Sequence, residues 1–194
     1  MAGRLEVIAG CMFSGKTEEL LRRVERARIA KKRVLLLKPA LDTRYADEEV
    51  VTHYGRSLPA FRLPVTGEGE RLWALADGRI DGAEVVAFDE AQFFSSAFPG
   101  LCEQLVAQGK RVVVAGLDLN FRGQPFGPMP RLLALADEVI KLQAVCVICG
   151  QAATRTQRLV DGAPATSGPE ILVAGLEAYE ARCRNCFVPP QTAA

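Results

Sequence analysis

The octapeptide Gly10 to Thr17, GCMFSGKT, follows the apolar run Leu5 to Ala9 and leads into a helical stretch. A G-x-x-x-x-G-K-[ST] turn in that setting is a phosphate cradle. Its glycines let backbone N–H groups wrap phosphate oxygens, its lysine reaches the β and γ phosphates, and its hydroxyl ligates Mg²⁺. Gly10, Cys11, Met12, Phe13, Ser14, Gly15, Lys16 and Thr17 are therefore candidate ATP contacts, with Lys16 also catalytic and Thr17 also a Mg²⁺ ligand. The stretch behind the cradle fits a helix over 16–30. Glu18 and Glu19 open it and Lys31 and Lys32 close it, in keeping with the macrodipole, while Leu20, Leu21, Val24 and Ala27 form one apolar face.

Apolar runs recur at 34–37, 84–88 and 111–115, each too continuous for a half-exposed strand, and read as buried parallel strands. Further helical patterns cover 68–76, ending at Asp77-Gly78, and 97–108, ending at Gly109. The expected fold is α/β: a P-loop, RecA-like open parallel sheet with helices on both faces and ligands at the carboxyl ends of the strands. The polar, turn-rich stretch 39–64 reads as a long loop beside that crevice. Periodicity disappears after Lys141, which divides the chain into an ATP-binding unit, 1–141, and a second unit, 142–194. With 194 residues, 49% of them hydrophobic, the chain has enough core for a domain and a small appendage. A net charge of +1 argues against a broad basic surface for nucleic acid. No stretch is long and apolar enough for a membrane and no secretion signal stands at the N-terminus, so the cytoplasm is the expected location.

In VVAFDEAQFF, Asp89 and Glu90 follow directly on a buried strand. A carboxylate there faces the metal of a bound triphosphate, which makes Asp89 the Mg²⁺ ligand. Glu90 is then free to act as general base, and Ala91 and Gln92 complete the candidate ATP-contact stretch. The competing reading of this pair is a polar strand end that caps the next helix. Asp42 and Arg44 either add a metal contact and a catalytic cation or form a surface ion pair, and His53 reads as structural. Cys11, beside a helix N-terminus and Lys16, is placed to favour thiolate, whereas Cys102 reads as a small core residue.

Cys146-x-x-Cys149 and Cys183-x-x-Cys186 are separated by 33 residues. Four thiolates in two such knuckles suit tetrahedral Zn²⁺, which would tie the base of a long loop; disulfides are the alternative. The tethered stretch carries Arg155, Thr156, Arg158, Gly168, Pro169 and Tyr179 and reads as a lid over a small substrate, excluding water from ATP.

GCMFSGKTEELLRR, DTRY, FDEAQFF, GLDLNFRGQPFGPMPRL, KLQAVCVICG with ATRTQR, and GLEAYEARCRNC occur in that order over nearly the whole chain. In these segments the chain resembles thymidine kinases of the small, zinc-containing type. The resemblance implies transfer of the ATP γ-phosphoryl group to the thymidine 5′-hydroxyl, with Glu90 as base and Arg44 beside the phosphates. It implies a thymidine pocket of Met12, Phe93, Leu117, Phe121, Phe126, Thr156 and Tyr179, with Ile171, Leu172, Val173, Ala174 and Gly175 laying backbone along the base edge. It also implies a homotetramer and inhibition by dTTP, while deoxyuridine, one methyl group short of thymidine, is the expected second acceptor. Cys11 replaces the proline usual after the first glycine, and Phe187 stands where many bacterial members have histidine, so four cysteines suffice for zinc. Two other classes remain open on the residues alone: a nucleic-acid-stimulated ATPase, because Asp-Glu-Ala-Gln after a strand also occurs in motors, and a non-catalytic nucleotide sensor.

Overall fold

The computed structural model describes residues 2–40, 49–51, 57–63, 78–172 and 178–190. In the first part of the chain the strands are β1 (Arg4–Gly10), β2 (Val34–Pro39), β3 (Glu49–Val51), β4 (Ser57–Pro59), β5 (Phe61–Leu63), β6 (Val85–Phe88), β7 (Arg111–Gly116) and β8 (Glu138–Leu142). Six of them form one sheet in the order β5-β2-β6-β7-β1-β8, and every pairing in it is parallel. The architecture is a mixed α/β core. The cradle leaves β1 between β7 and β8, with Ala9 opposite both Gly116 and Lys141.

Side-chain alternation along the strands builds two hydrophobic layers. On one face Ile8, Leu36, Ala87, Val113 and Ala115 pack with Leu20, Leu21, Val24 and Ala27 of α1 (Lys16–Ile29). On the other, Leu5, Val7, Leu37, Phe88, Val112 and Val114 pack with Phe98, Leu101 and Leu105 of α2 (Phe98–Ala107) and with Met129 and Leu132 of α3 (Met129–Leu135). Phe98 stacks on Phe94 at 4.5 Å and meets Phe88 edge-on at 4.9 Å. Cys102 is fully buried, as expected of a core residue, and burial pushes its thiol well up. Glu6 points from β1 toward α1. Its carboxylate, 1% exposed, accepts from Arg23 at 2.5 Å and from Arg111 at 2.6 and 2.9 Å. Burial acts to raise the Glu6 pKa, yet these two arginines, helped by Arg4, hold it below the usual carboxylate value.

Several expectations need correction. The helical pattern expected over 68–76 lies outside the described residues; Gly78 itself is helical together with residues 79 and 80, and Ile80 is buried in the core. Lys31 and Lys32 do not close α1: the helix stops at Ile29, Arg26 and Arg28 occupy its last turn, Lys31 lies beyond at φ 58°, and Lys32 pairs with Glu84 at 2.9 Å. The stretch 39–64 is not all loop, since β3 pairs antiparallel with β4 and β5 joins the sheet beside β2. Strand β8 and helix α3 were not anticipated.

The C-terminal part is built from β9 (Ala144–Val145), β10 (Ala152–Ala153), β11 (Arg155–Val160), β12 (Ala163–Pro164) and β13 (Tyr179–Arg182). β9 and β10 form a two-stranded ladder, and β11 lies between β12 and β13, all antiparallel. Among the described residues no helix is long and apolar enough to cross a membrane.

Candidate active site and metal centre

The cradle is shaped by its backbone. Gly10 has φ 154°, and a Cβ there would stand 2.6 Å from the Leu142 carbonyl oxygen, so only glycine fits between β1 and β8. Gly15, at φ 83°, starts α1 and turns its N-terminus toward the loop. Lys16 Nζ and Ser14 Oγ each donate to the Cys11 carbonyl oxygen at 2.8 Å. Thr17 Oγ1 donates to Asp89 Oδ2 at 3.1 Å, joining the head of α1 to the end of β6. Asp89 is 6% exposed, and burial, then the charge of Glu90, push its carboxyl up to about 7 against the opposing Glu90 amide, Thr17 and Lys16.

Glu90 occupies the left-handed region at φ 50°, a strained conformation for a non-glycine residue that here turns the chain sharply after β6. Its Oε2 accepts from Gln92 Nε2 at 2.5 Å, while Gln92 Oε1 accepts the Leu117 amide at 2.9 Å. The buried Gln92 side chain thus ties Glu90 to the segment leaving β7. Ala91 is 0% exposed and belongs to the hydrophobic core, so its side chain does not face the cavity.

One cavity runs from the cradle into an aromatic chamber. Gly15, Lys16, Thr17 and Glu90 line it together with Met12, Phe93, Leu117, Phe121, Phe126, Thr156, Ile171, Leu172 and Tyr179. Phe93 meets Phe126 edge-on at 6.0 Å, and the Met12 amide donates to Thr156 Oγ1 at 3.0 Å, joining the cradle to β11. Phe13 and Gln92 also line this space. Asp42, Arg44 and His53, and Val173, Ala174 and Gly175 of the base-edge segment, lie outside the described residues. Glu18, Leu119, Asn120, Arg158 and Glu170 line the cavity without having been singled out as site residues. The one sequence signal toward Arg158 is its place two positions after Thr156, on the same face of β11.

Cys11 differs from expectation. Its thiol is 2% exposed, donates to the Ala153 carbonyl oxygen at 3.3 Å, and is raised above its ordinary pKa by burial, which outweighs the lowering effects of the Ala144 amide and Lys16. The favoured form is the buried thiol, because the C-terminal part covers it. Its neighbours are Ala144, Cys146, Ala153, Ala181 and Cys183.

All six cysteines are free thiols. The sulfurs of Cys146, Cys149, Cys183 and Cys186 lie within 4.8 Å of one another, with Cys149 and Cys183 at 3.6 Å, and could hold a metal ion. A tetrahedron with Zn–S near 2.3 Å has sulfurs about 3.8 Å apart, so the donor set fits. Burial resists ionisation of Cys146, yet the amides of Cys183, Cys149 and Ile148 bring its thiol down to about 6. The Cys186 amide likewise holds Cys183 below its ordinary value.

The family model described as Thymidine kinase matches residues 3–187. A protein of Coprothermobacter proteolyticus named thymidine kinase is 58% identical to this chain over 182 residues, spanning 93% of this chain and 88% of its own length.

Proposed function

Because the chain belongs to the thymidine kinase family and is a kinase, we propose that it transfers the γ-phosphoryl group of ATP to the 5′-hydroxyl of thymidine, giving dTMP and ADP. One observation carries this reading: the cradle residues Gly15, Lys16 and Thr17 share a single cavity with Glu90 and an aromatic chamber walled by Phe93, Phe121, Phe126 and Tyr179. We read the core as a P-loop fold of the RecA-like kind, 1–141, and the Cys-rich remainder, 142–194, as a zinc-tied unit that covers the substrate.

In this mechanism the triphosphate lies along residues 10–17 and against the 89–92 segment, and Lys16 exchanges the Cys11 carbonyl for phosphate oxygens. Phe93, Phe121, Phe126 and Tyr179 wall the base, while Met12, Leu117, Thr156 and the 171–175 segment complete its surroundings. Glu90 holds the 5′-hydroxyl and takes its proton as the hydroxyl oxygen bonds to the γ-phosphorus and the bond to the ADP oxygen breaks. Arg44 supplies positive charge to the transferring group. Thr17 and Asp89, two oxygen donors already 3.1 Å apart, would hold Mg²⁺, with Asp42 adding to the set. When bound, Mg²⁺ neutralises the charge on the phosphate oxygens. Cys146, Cys149, Cys183 and Cys186 would hold Zn²⁺ as a structural ion. A molecule carrying both thymine and a triphosphate spans both halves of the cavity, which accounts for dTTP as a feedback inhibitor. Deoxyuridine lacks one methyl group, worth about 1–3 kcal/mol, and is a weaker substrate. The working assembly is a homotetramer.

Product analysis with ATP, Mg²⁺ and each common deoxynucleoside tests the proposal. One ADP per thymidine monophosphate, with deoxyuridine alone as a second acceptor, supports it. ADP without nucleoside monophosphate points to an ATPase, and no ADP at all points to a sensor; either refutes it.

A further inference from the structure

We propose that Arg158 is a positioning residue that clamps residues 168–172 against the nucleoside end of the cavity, so that substrate affinity depends on a side chain remote from the phosphate cradle. This rests on the reading of that cavity as the nucleoside site. Arg158 lies on β11, is 2% exposed, and places its guanidinium 3.7 Å from the centre of the Phe121 ring. Its Nε and Nη2 donate to the Tyr179 hydroxyl at 3.0 and 2.8 Å, Nη2 donates to the Glu170 carbonyl at 3.0 Å, and Nη1 donates to the Pro169 carbonyl. The Tyr179 hydroxyl passes the link on, donating to the Leu172 carbonyl at 2.8 Å. One planar fork therefore holds three points of the segment, Pro169 and Glu170 directly and Leu172 through Tyr179, and Leu172 lines the cavity together with Ile171. Asn120 to Glu170 at 2.8 Å and Arg122 to the Gly168 carbonyl at 2.7 Å are outlying ties on the same segment.

All four Arg158 hydrogen bonds end on neutral oxygens. A buried guanidinium keeps its charge, so the carbonyls of 169 and 170 are its solvation, and moving the segment away exposes that charge to an incomplete shell. Lysine cannot substitute. An ammonium is a point charge with no planar fork, and it cannot lie flat on Phe121 while meeting acceptors on both sides. Loss of the clamp should loosen nucleoside binding, leave ATP binding at the cradle intact, and admit water to the γ-phosphate.

The test compares the full wild-type chain with R158K, Y179F and the double variant. It measures amide hydrogen exchange at Glu170, Ile171 and Leu172, KM for thymidine and for ATP, ADP formed per dTMP, and zinc content with melting midpoint as checks of folding. Expected for R158K are at least tenfold faster exchange across 170–172, a thymidine KM raised tenfold or more, an ATP KM within twofold of wild type, and ADP in excess of dTMP. The double variant should be little worse than R158K, because both substitutions cut one network. Unchanged exchange and thymidine KM, or equal rises in both KM values, overturn the proposal. If R158K does not fold, Y179F, which removes one hydroxyl, decides by the same readouts. If the wild type phosphorylates no nucleoside, the reading of the cavity fails, and the exchange comparison alone still decides whether Arg158 holds the segment.

Discussion

Replacing Gln92 by alanine should damage stability and catalysis through two different ends of one side chain. Gln92 is 2% exposed; its Oε1 accepts the Leu117 amide at 2.9 Å and its Nε2 donates to Glu90 Oε2 at 2.5 Å. Truncation leaves the Leu117 N–H buried without its acceptor, at about 1–3 kcal/mol. It also removes roughly two methylene equivalents of packing, about 0.8 kcal/mol each. The sum, about 3 kcal/mol, corresponds to a melting midpoint lower by roughly 10 °C for a chain of this size. Without the Gln92 donor the Glu90 carboxylate loses one of the contacts that orient it toward the 5′-hydroxyl, and kcat should fall about 10- to 100-fold. Gln92→Met restores most of the volume without either hydrogen bond, so it should recover part of the stability and none of the rate. Urea unfolding and a coupled ADP assay on both variants provide the measurements. If Gln92→Ala is destabilised as calculated but turns over at the wild-type rate, Gln92 is a packing residue and the base is held by something else.

Three further outcomes are expected. Glu90→Gln should abolish turnover while ATP and thymidine still bind by calorimetry; near-normal turnover would remove Glu90 from the role of base. Mg²⁺-ATP binding should release a proton below neutrality, because burial and Glu90 push the Asp89 carboxyl up to about 7 and the protonated acid does not ligate a cation. Affinity should therefore weaken as pH falls through about 7, and calorimetry at pH 6.5 in buffers of different ionisation enthalpy should show it; identical heats in every buffer would contradict it. Cys183→Ser should lose the metal and, because Cys183 and Cys11 belong to one buried cluster, raise the KM for ATP as well. Full zinc occupancy with normal kinetics would show that the knuckles do not support the cradle.

The buried strands and the cradle were legible because each is a local signal: a continuous apolar run has one comfortable place in a parallel sheet, and the glycine spacing of 10–17 has a backbone reason. Strand β8, EVIKL, was not legible. It lies at the sheet edge, with Val139 47% exposed, and its two charged positions break the apolar run that marks a central strand. Helix α3 is short and begins next to prolines, so little periodicity accumulates. Cys11 misled for a physical reason. Lysine and a helix N-terminus beside a thiol suggest thiolate, but Ala153 and the knuckle cysteines, remote in sequence, cover the sulfur and desolvation prevails. Thr156 was foreseen in the cavity while its strand-mate Arg158 was noted only as part of the tethered stretch, because a buried cation bonded solely to neutral oxygens leaves no partner charge to find in the sequence.

The contacts of Cys11 with Ala153 and of Met12 with Thr156 also set an order of events during synthesis. The cradle emerges from the ribosome before the residues that seat it, which lie about 140 positions later. At about 5–20 residues per second, roughly ten seconds or more pass in which α1 and β1 exist while the Met12 amide and the Cys11 sulfur have no cover. A nascent or truncated chain ending near residue 142 can pair β1 with β7, yet it presents an unfinished triphosphate cradle. Seating of the cradle is in this sense ordered along the chain, because a motif made early is held only once Ala153 and Thr156 arrive.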